Sequence, residues 1–252
     1  VQTVVHLCTP PENRIEPLEA LARLGFRKFL IEKPLAVGER ELGELDRIRE
    51  DHGLDMIVVA QWSTSALGAR LTSAAADGDL RTVRFTQHKQ RFARTLAGHG
   101  HASAFDVEVP HAVGLALQLA GNGRVRTAQC ADLVCGKARA ARMGGARLSI
   151  DHDNGVRTEI HSDLTAPTRQ RRVELEFGHR TVVGHFPVSA DDPYAQLWTS
   201  ERRVFHDDAL EAFFHRAYAH FAGGPRLDTL SPGREVVRLL EQARRLAFAV
   251  PA

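Results

Sequence analysis

The pattern of apolar and polar positions divides the chain into two kinds of segment. Residues 2–8 (QTVVHLC) form a short apolar run, suited to a strand buried on both faces. Thr9-Pro10-Pro11 ends it, because proline cannot donate to a strand ladder. Ile15, Leu18, Leu21, Ala22 and Leu24 then fall at helical spacing over 14–24, with Gly25 placed as a C-cap. Lys28 to Ile31 reads as a second strand. Residues 39–52 read as a helix with Leu42, Leu45 and Ile48 on one face, and 54–60 (LDMIVVA) as a third strand. A further helix is predicted over 66–76. Strand, helix, strand, helix, strand is the order of one half of a doubly wound parallel sheet.

From residue 81 the period changes to two, as in RTVRFTQHKQRF, the mark of a half-exposed strand. An apolar helix is predicted over 104–120, closed by Gly121. Four alternating segments follow, at 125–134, 146–152, 156–163 and 171–186. Asp153-Asn154-Gly155 between two of them signals a type I′ hairpin. Helices at 207–222 and 232–248, separated by Gly223-Gly224-Pro225, close the chain. The expected fold class is α/β plus α+β: the C-terminal half of a doubly wound, Rossmann-like domain (1–80), an open and mostly antiparallel sheet domain (81–206), and C-terminal helices packing back on the first domain (207–252).

The two most specific pieces are Thr9-Pro10-Pro11 and Glu32-Lys33-Pro34, at the ends of consecutive strands. With the order of elements they make nearly the whole chain resemble the glucose-fructose oxidoreductase / inositol dehydrogenase (Gfo/Idh/MocA) family from its mid-domain strand onward. The resemblance implies an open sheet that forms the substrate face and an oligomer interface. In the family, strand, Gly-rich turn and helix come first, because that turn meets the cofactor pyrophosphate. No such unit precedes the opening strand here; the missing half would need roughly 60–70 residues. The expectation is therefore no cofactor from this chain alone, with NAD(P) bound only if a partner or a missing segment completes the site.

Composition narrows the picture further. Charged residues make up 25% of 252 and the formal net charge is +2, so nothing demands nucleic acid or an anionic membrane surface. No apolar run of about 18 residues and no leader are visible, which points to a cytoplasmic protein. Cys8, Cys130 and Cys135 have no metal spacing and are expected as buried, reduced thiols. No Ser-His-Asp order, nucleophile elbow or Walker loop is present.

Lys33 is the first candidate for chemistry. The family resemblance places it beside the nicotinamide and the substrate carbinol, where an ammonium polarises an oxygen or, with its pKa lowered, exchanges a proton. His111 matches the point where the family carries its acid/base histidine. The aspartate usual a few residues beyond is absent: the stretch reads Ala112-Val113-Gly114-Leu115. Glu108 or Asp106, near the same helix start, could replace it as the orienting carboxylate. Thr9, Pro10, Glu32 and Lys33 would touch a nucleotide if one is bound. Gln61, Trp62, Arg91 and His161 are the substrate candidates; Arg91 and Arg94 could meet an anionic group, and a solvated face is the competing reading. His99 and His101 in GHGH fit a mobile loop better than a metal pair, and no metal is expected.

Three functions compete. The first is an enzyme doing acid/base chemistry (elimination, cyclisation or isomerisation) on a small polar metabolite, without its own dinucleotide site. Its opening strand would be covered by a second protein chain, or the chain would form a homo-oligomer through the open sheet. The second is an NAD(P)-dependent sugar or cyclitol oxidoreductase of which this is a part. The third is a scaffold subunit. A secondary-metabolism setting would suit the first.

Overall fold

The computed structural model describes residues 3–97, 101–189 and 191–249. Strands β1 (Val4–Leu7), β2 (Lys28–Ile31) and β3 (Asp55–Val58) form a parallel sheet in the order β1-β2-β3. Helices α1 (Ile15–Arg23) and α2 (Glu39–His52) cover one face, burying Leu18, Ala22, Leu42, Leu45 and Ile48 against Phe29, Ile31, Met56 and Val58. The strands are apolar on both faces because the second face is covered as well. There Leu30, Ile57 and Val59 meet Phe213, Ala217 and Phe221 of a late helix.

After β3 the chain makes two short helices, α3 (Gln61–Thr64) and α4 (Ala66–Ala76). The larger sheet follows: β4 (Leu80–His88), then α5 (Phe92–Leu96) and α6 (Val109–Ala120), then β5 (Gly123–Cys135), β6 (Ala138–His152), β7 (Arg157–Asp163), β8 (Gln170–Phe177), β9 (Thr181–His185), β10 (Tyr194–Trp198) and β11 (Arg202–His206). Its order is β11-β10-β9-β8-β4-β7-β6-β5, antiparallel except for the β4–β7 pair. Along β4, Val83, Phe85 and Gln87 are buried while Arg84, Thr86 and His88 stand on the open face, which is the period-two reading of the sequence. Helices α7 (Ala209–Phe221) and α8 (Leu230–Phe248) complete the chain. Val236, Leu239, Leu240 and Ala243 of α8 join the large-sheet core, while Val237 joins the small-sheet core. At the start of α8 the Thr229 hydroxyl accepts from the Val58 N–H at 2.8 Å.

Several expectations are corrected. The helix expected over 104–120 is a 3-10 turn at Ala104–Asp106, an interruption, and then α6. Ser103 and Asp106 form a reciprocal capping box that fixes the first turn, and Pro110 fits the first turn of α6. The Asp153-Asn154-Gly155 connection is not type I′: of the three only Gly155 has positive φ (+85°), and its N–H bonds the His152 carbonyl at 3.0 Å. That is a three-residue turn with a left-handed glycine. The segment 171–186 is two strands, β8 and β9, turned at Gly178-His179-Arg180. Strands β10 and β11 and helices α3 and α5 were not anticipated; they are short, and β11 is largely exposed. The cysteines are free, but Cys8 and Cys135 are exposed rather than buried.

Candidate functional site

The carboxyl ends of the small sheet's strands carry the first part of the site. Arg14, 1% exposed, fixes it: its guanidinium donates to the carbonyls of Pro34, Leu35 (2.9 Å) and Thr9 (2.7 Å). One side chain thus ties the Thr9-Pro10-Pro11 turn to the Glu32-Lys33-Pro34 turn. Burial lowers its pKa to about 10, against Glu32 and Glu12, so it stays charged at neutral pH. The Lys33–Pro34 peptide is cis. Thr9 Oγ1, just past β1, is buried with no hydrogen-bond partner among the described residues.

The second part comes from the N-terminal turn of α6. Lys33 Nζ donates to the Val107 carbonyl at 2.6 Å, so the strand end and the helix start are joined directly. His111, in the first turn of α6, stacks on Trp62 at 5.5 Å, and Trp62 stacks on Phe186 at 4.4 Å. Trp62 is 3% exposed and is locked from below. Ser65 Oγ donates to the Trp62 carbonyl at 3.0 Å and accepts from the Gly68 N–H at 2.9 Å. Asp207 accepts from the N–H groups of Ala66 and Leu67 at the start of α4, both at 2.9 Å. Glu108 is held by Lys89 at 2.5 Å and by Arg171 at 3.8 Å, and its carbonyl accepts from Gln87 at 3.1 Å.

These groups set one another's protonation. Burial and the nearby Lys33 charge push His111 down to about 3, against the pull of Glu108, so its imidazole is neutral at neutral pH. Burial also lowers Lys33, opposed by Glu108 and Glu32. For Glu108, burial opposes ionisation, but His111, Lys89 and Arg171 overcome it and hold the carboxyl at about 2. Near neutral pH the imidazole is uncharged, so Lys89 and Arg171 sustain that carboxylate. A neutral base, a lysine of lowered pKa and a fixed carboxylate are the parts of an acid/base site.

Lys33, Trp62 and His111 line a cavity of about 980 Å3 between the strand ends, α6 and the start of α8. Ser63, Thr72, Gln118, Asn122 and Asp228 contribute polar groups to its wall.

The other candidates fare unequally. Asp106 pairs with Arg244 at 2.8 Å and with Ser103, so it fixes the capping turn and does not orient His111. Glu108 is close enough to act electrostatically on His111, and the His111 backbone N–H donates to the Glu108 carbonyl at 3.1 Å, but among the described residues no hydrogen bond joins the carboxylate to the imidazole. Gln61 opens α3 outside the cavity wall, and Thr9, Pro10, Glu32 and Arg91 also lie outside it. His161 sits on β7 with its ring 5.6 Å from that of His88 and lines hollows on the open sheet face, away from Lys33. His152 is satisfied by the Gly121 carbonyl and the Thr158 hydroxyl, both at 2.8 Å, and Arg169 reaches the Val188 carbonyl. His99 lies outside the described residues. Among the described residues no cluster of three potential ligands could hold a metal ion, and no helix is long and apolar enough to cross a membrane.

Sequence reasoning missed Arg14, Gln87, Lys89, Arg171 and Phe186. Only the strand register reveals two of them: β4 and β8 pair so that Gln87 lies opposite Arg171.

No family model matches the chain, and no curated protein matches it at a significant level. Solved structures do match. An oxidoreductase from Agrobacterium radiobacter, in complex with NAD+, L-tartaric acid and magnesium, has a TM-score of 0.75 at 14% identity, over 98% of this chain and 78% of that one. UDP-N-acetylglucosamine 3-dehydrogenase GnnA from Acidithiobacillus ferrooxidans has a TM-score of 0.76 at 18% identity, over the same shares. KijD10, a 3-ketoreductase from Actinomadura kijaniata in complex with TDP-benzene and NADP, has a TM-score of 0.76 at 15% identity, over 97% and 77%. This chain shares their fold. These neighbours are oxidoreductases of the Gfo/Idh/MocA type, so the resemblance read from Thr9-Pro10-Pro11 and Glu32-Lys33-Pro34 holds for the architecture.

Proposed function

We propose that this chain is the catalytic part of an NAD(P)-dependent oxidoreductase acting on a hydroxyl-bearing carbon of a small polar substrate. This is the second of the three functions set out from the sequence, and the neighbours that bind NAD or NADP favour it over the cofactor-free reading. The observation that carries it is the meeting of Lys33 and His111, from two different elements, at one cavity outside the carboxyl ends of parallel strands. In open α/β sheets that is where ligands bind.

The residues present fit the nicotinamide end of such a cofactor. Thr9 Oγ1 is a buried hydroxyl without a partner among the described residues, at the strand end next to that of Lys33. Lys33 on the cavity wall and the Thr9 hydroxyl at the neighbouring strand end would hold the group; Pro10 and Glu32 lie outside the wall. When bound, a nicotinamide exchanges a hydride with the substrate carbon. The chain's own residues handle the proton. Neutral His111 takes the hydroxyl proton on oxidation and returns it on reduction. The Lys33 ammonium faces the oxygen and stabilises the negative charge that grows there. Trp62 and Phe186 fix the imidazole plane and exclude water on that side.

The pyrophosphate grip is a separate matter. Among the described residues no Gly-rich turn joins a strand to a helix. The outer edge of β1 pairs with no strand among them. We propose that added strands at this edge, from a second chain or from further residues of this one, supply that grip; the open sheet face is the surface for a homo-oligomer. The lack of a Gly-rich turn also keeps the cofactor-free acid/base enzyme as a second reading.

The test is product analysis on a panel of polar polyols, sugars and hydroxy acids with NAD+ or NADP+, using protein purified with whatever chain accompanies it. Oxidised product and reduced nicotinamide in equal amounts, abolished by Lys33→Met and His111→Gln, support the oxidoreductase. An isomer or dehydrated product formed without nucleotide supports the second reading instead.

A further inference from the structure

Arg91, just past β4, is in an unusual position for a cation. It is 7% exposed, and its backbone N–H is fixed to the Leu164 carbonyl at 3.0 Å. Yet Nε and Nη2 are buried with no acceptor among the described residues. The other enclosed cations each have an acceptor. Arg14 has three carbonyls, though its Nε is also buried without a partner among the described residues, Lys89 and Arg171 share Glu108, Arg244 has Asp106, and Lys33 has the Val107 carbonyl. A buried charge without a partner is costly, and it persists where a ligand supplies the counter-charge.

The surroundings of Arg91 point to the sign and chemistry of that ligand. Its charge acts on Lys33 and on His101, and Arg94 and Glu108 act on it in turn. Lys33, Lys89, Arg91, Arg94 and Arg171 outnumber the carboxylates Glu108, Glu32 and Asp106 in this group; Glu108 is already taken by Lys89 and Arg171, and Asp106 by Arg244. His101 Nδ1 is a further buried polar atom with no partner among the described residues. Its imidazole is held neutral: burial, then Arg91 and Lys33, push it down to about 4. A neutral ring can donate one hydrogen bond to an oxyanion beside the planar fork of a guanidinium.

We propose that Arg91, assisted by His101, binds an oxyanion of the substrate, a carboxylate or a phosphate, so that the hydroxyl-bearing carbon is presented to Lys33 and His111. The substrate class is therefore an acidic one, such as a hydroxy acid, a sugar acid or a phosphorylated sugar. The word substrate rests on the oxidoreductase reading; the anion site itself does not need a nucleotide.

The test is a titration of the purified protein with malonate and with inorganic phosphate, at ionic strength held constant with chloride, followed by calorimetry and by the shift in Tm. Wild type binds at least one of the two, and the tighter one identifies the substituent. Arg91→Gln weakens that binding by about tenfold or more, while Arg91→Lys keeps part of it. Without oxyanion, Arg91→Gln leaves Tm unchanged or raises it, because it removes an unpaired buried charge. Wild-type binding that survives Arg91→Gln unchanged overturns the proposal, as does failure of wild type to bind either anion. A large fall in the Tm of Arg91→Gln without ligand overturns it too, since that shows a structural partner. An NAD(P)H titration of the same samples separates the two claims: oxyanion binding without nucleotide binding leaves this site standing and removes the oxidoreductase.

Discussion

Lys33 and His111 show how burial converts ordinary side chains into a proton-handling pair. Neither carries the needed protonation behaviour in its own chemistry; both acquire it from enclosure, and His111 also from the nearby Lys33 charge. Lys33→Met is expected to lower kcat/KM by about 10²–10⁴-fold with little change in fold, measured on the substrate identified by product analysis. Arg14 belongs to this scale as well. Replacing it with Met leaves three carbonyls at the strand ends without their donor and is expected to cost about 3 kcal/mol in denaturant unfolding. The pH dependence follows from the histidines. Their folded pKa values, about 3 for His111 and about 4 for His101, lie below the ordinary 6.5. The unfolded chain therefore takes up protons the folded chain refuses. Stability is full above about pH 6.5 and falls as the pH drops toward 4, by about 1.4 kcal/mol per pH unit for each such group. His111→Gln should remove one group's share of that slope in unfolding titrations between pH 6 and 4; an unchanged slope would show that the ring is protonated in the fold.

At the scale of elements, the α3–α4 junction decides where Trp62 stands. Helix α4 passes so close that a Cβ on Gly68 would lie 2.1 Å from the Trp62 carbonyl oxygen. Gly68→Ala is expected to shift α3 and to destabilise by about 2 kcal/mol, read in thermal unfolding, and to loosen the Trp62–His111 stack, read as a red-shifted tryptophan emission. Asp207 caps α4 from the far end of the chain, and Asp207→Ala should cost about 1–2 kcal/mol. This scale also shows what the sequence could and could not convey. The parallel strands were legible as short continuous apolar runs, and α1, α2 and the closing helices because their apolar positions repeat at helical spacing. Strands β10 and β11 were not, since the run from Tyr194 to His206 mixes arginine, glutamate and aromatics on a largely exposed edge. Lys33, His111 and Trp62 were singled out by what the family resemblance implies at these strand ends and this helix start, and the structure brings them to one cavity. Lys89 and Arg171 carry no local signal: they are 82 residues apart and meet at Glu108 only because β4 pairs with β8. Asp106 was misread because a helix cap and a catalytic carboxylate look alike at the start of a helix.

For the whole molecule, the closing helices tie the two sheets together. Helix α8 contributes to both cores and α7 covers the second face of the small sheet, so the cavity walls come from both ends of the chain. The free edge of β1 and the lack of a Gly-rich turn among the described residues leave nucleotide binding as the central question. The most direct measurement is energy transfer from tryptophan to bound NADH or NADPH, in protein purified with whatever chain accompanies it. The chain has two tryptophans, Trp62 in the site and Trp198 on β10. A transfer signal that saturates with nucleotide, survives Trp198→Phe and is lost in Trp62→Phe is the result expected for a nicotinamide seated beside Lys33 and His111. No saturable binding of either nucleotide at millimolar concentration, in a sample that converts substrate, would contradict it.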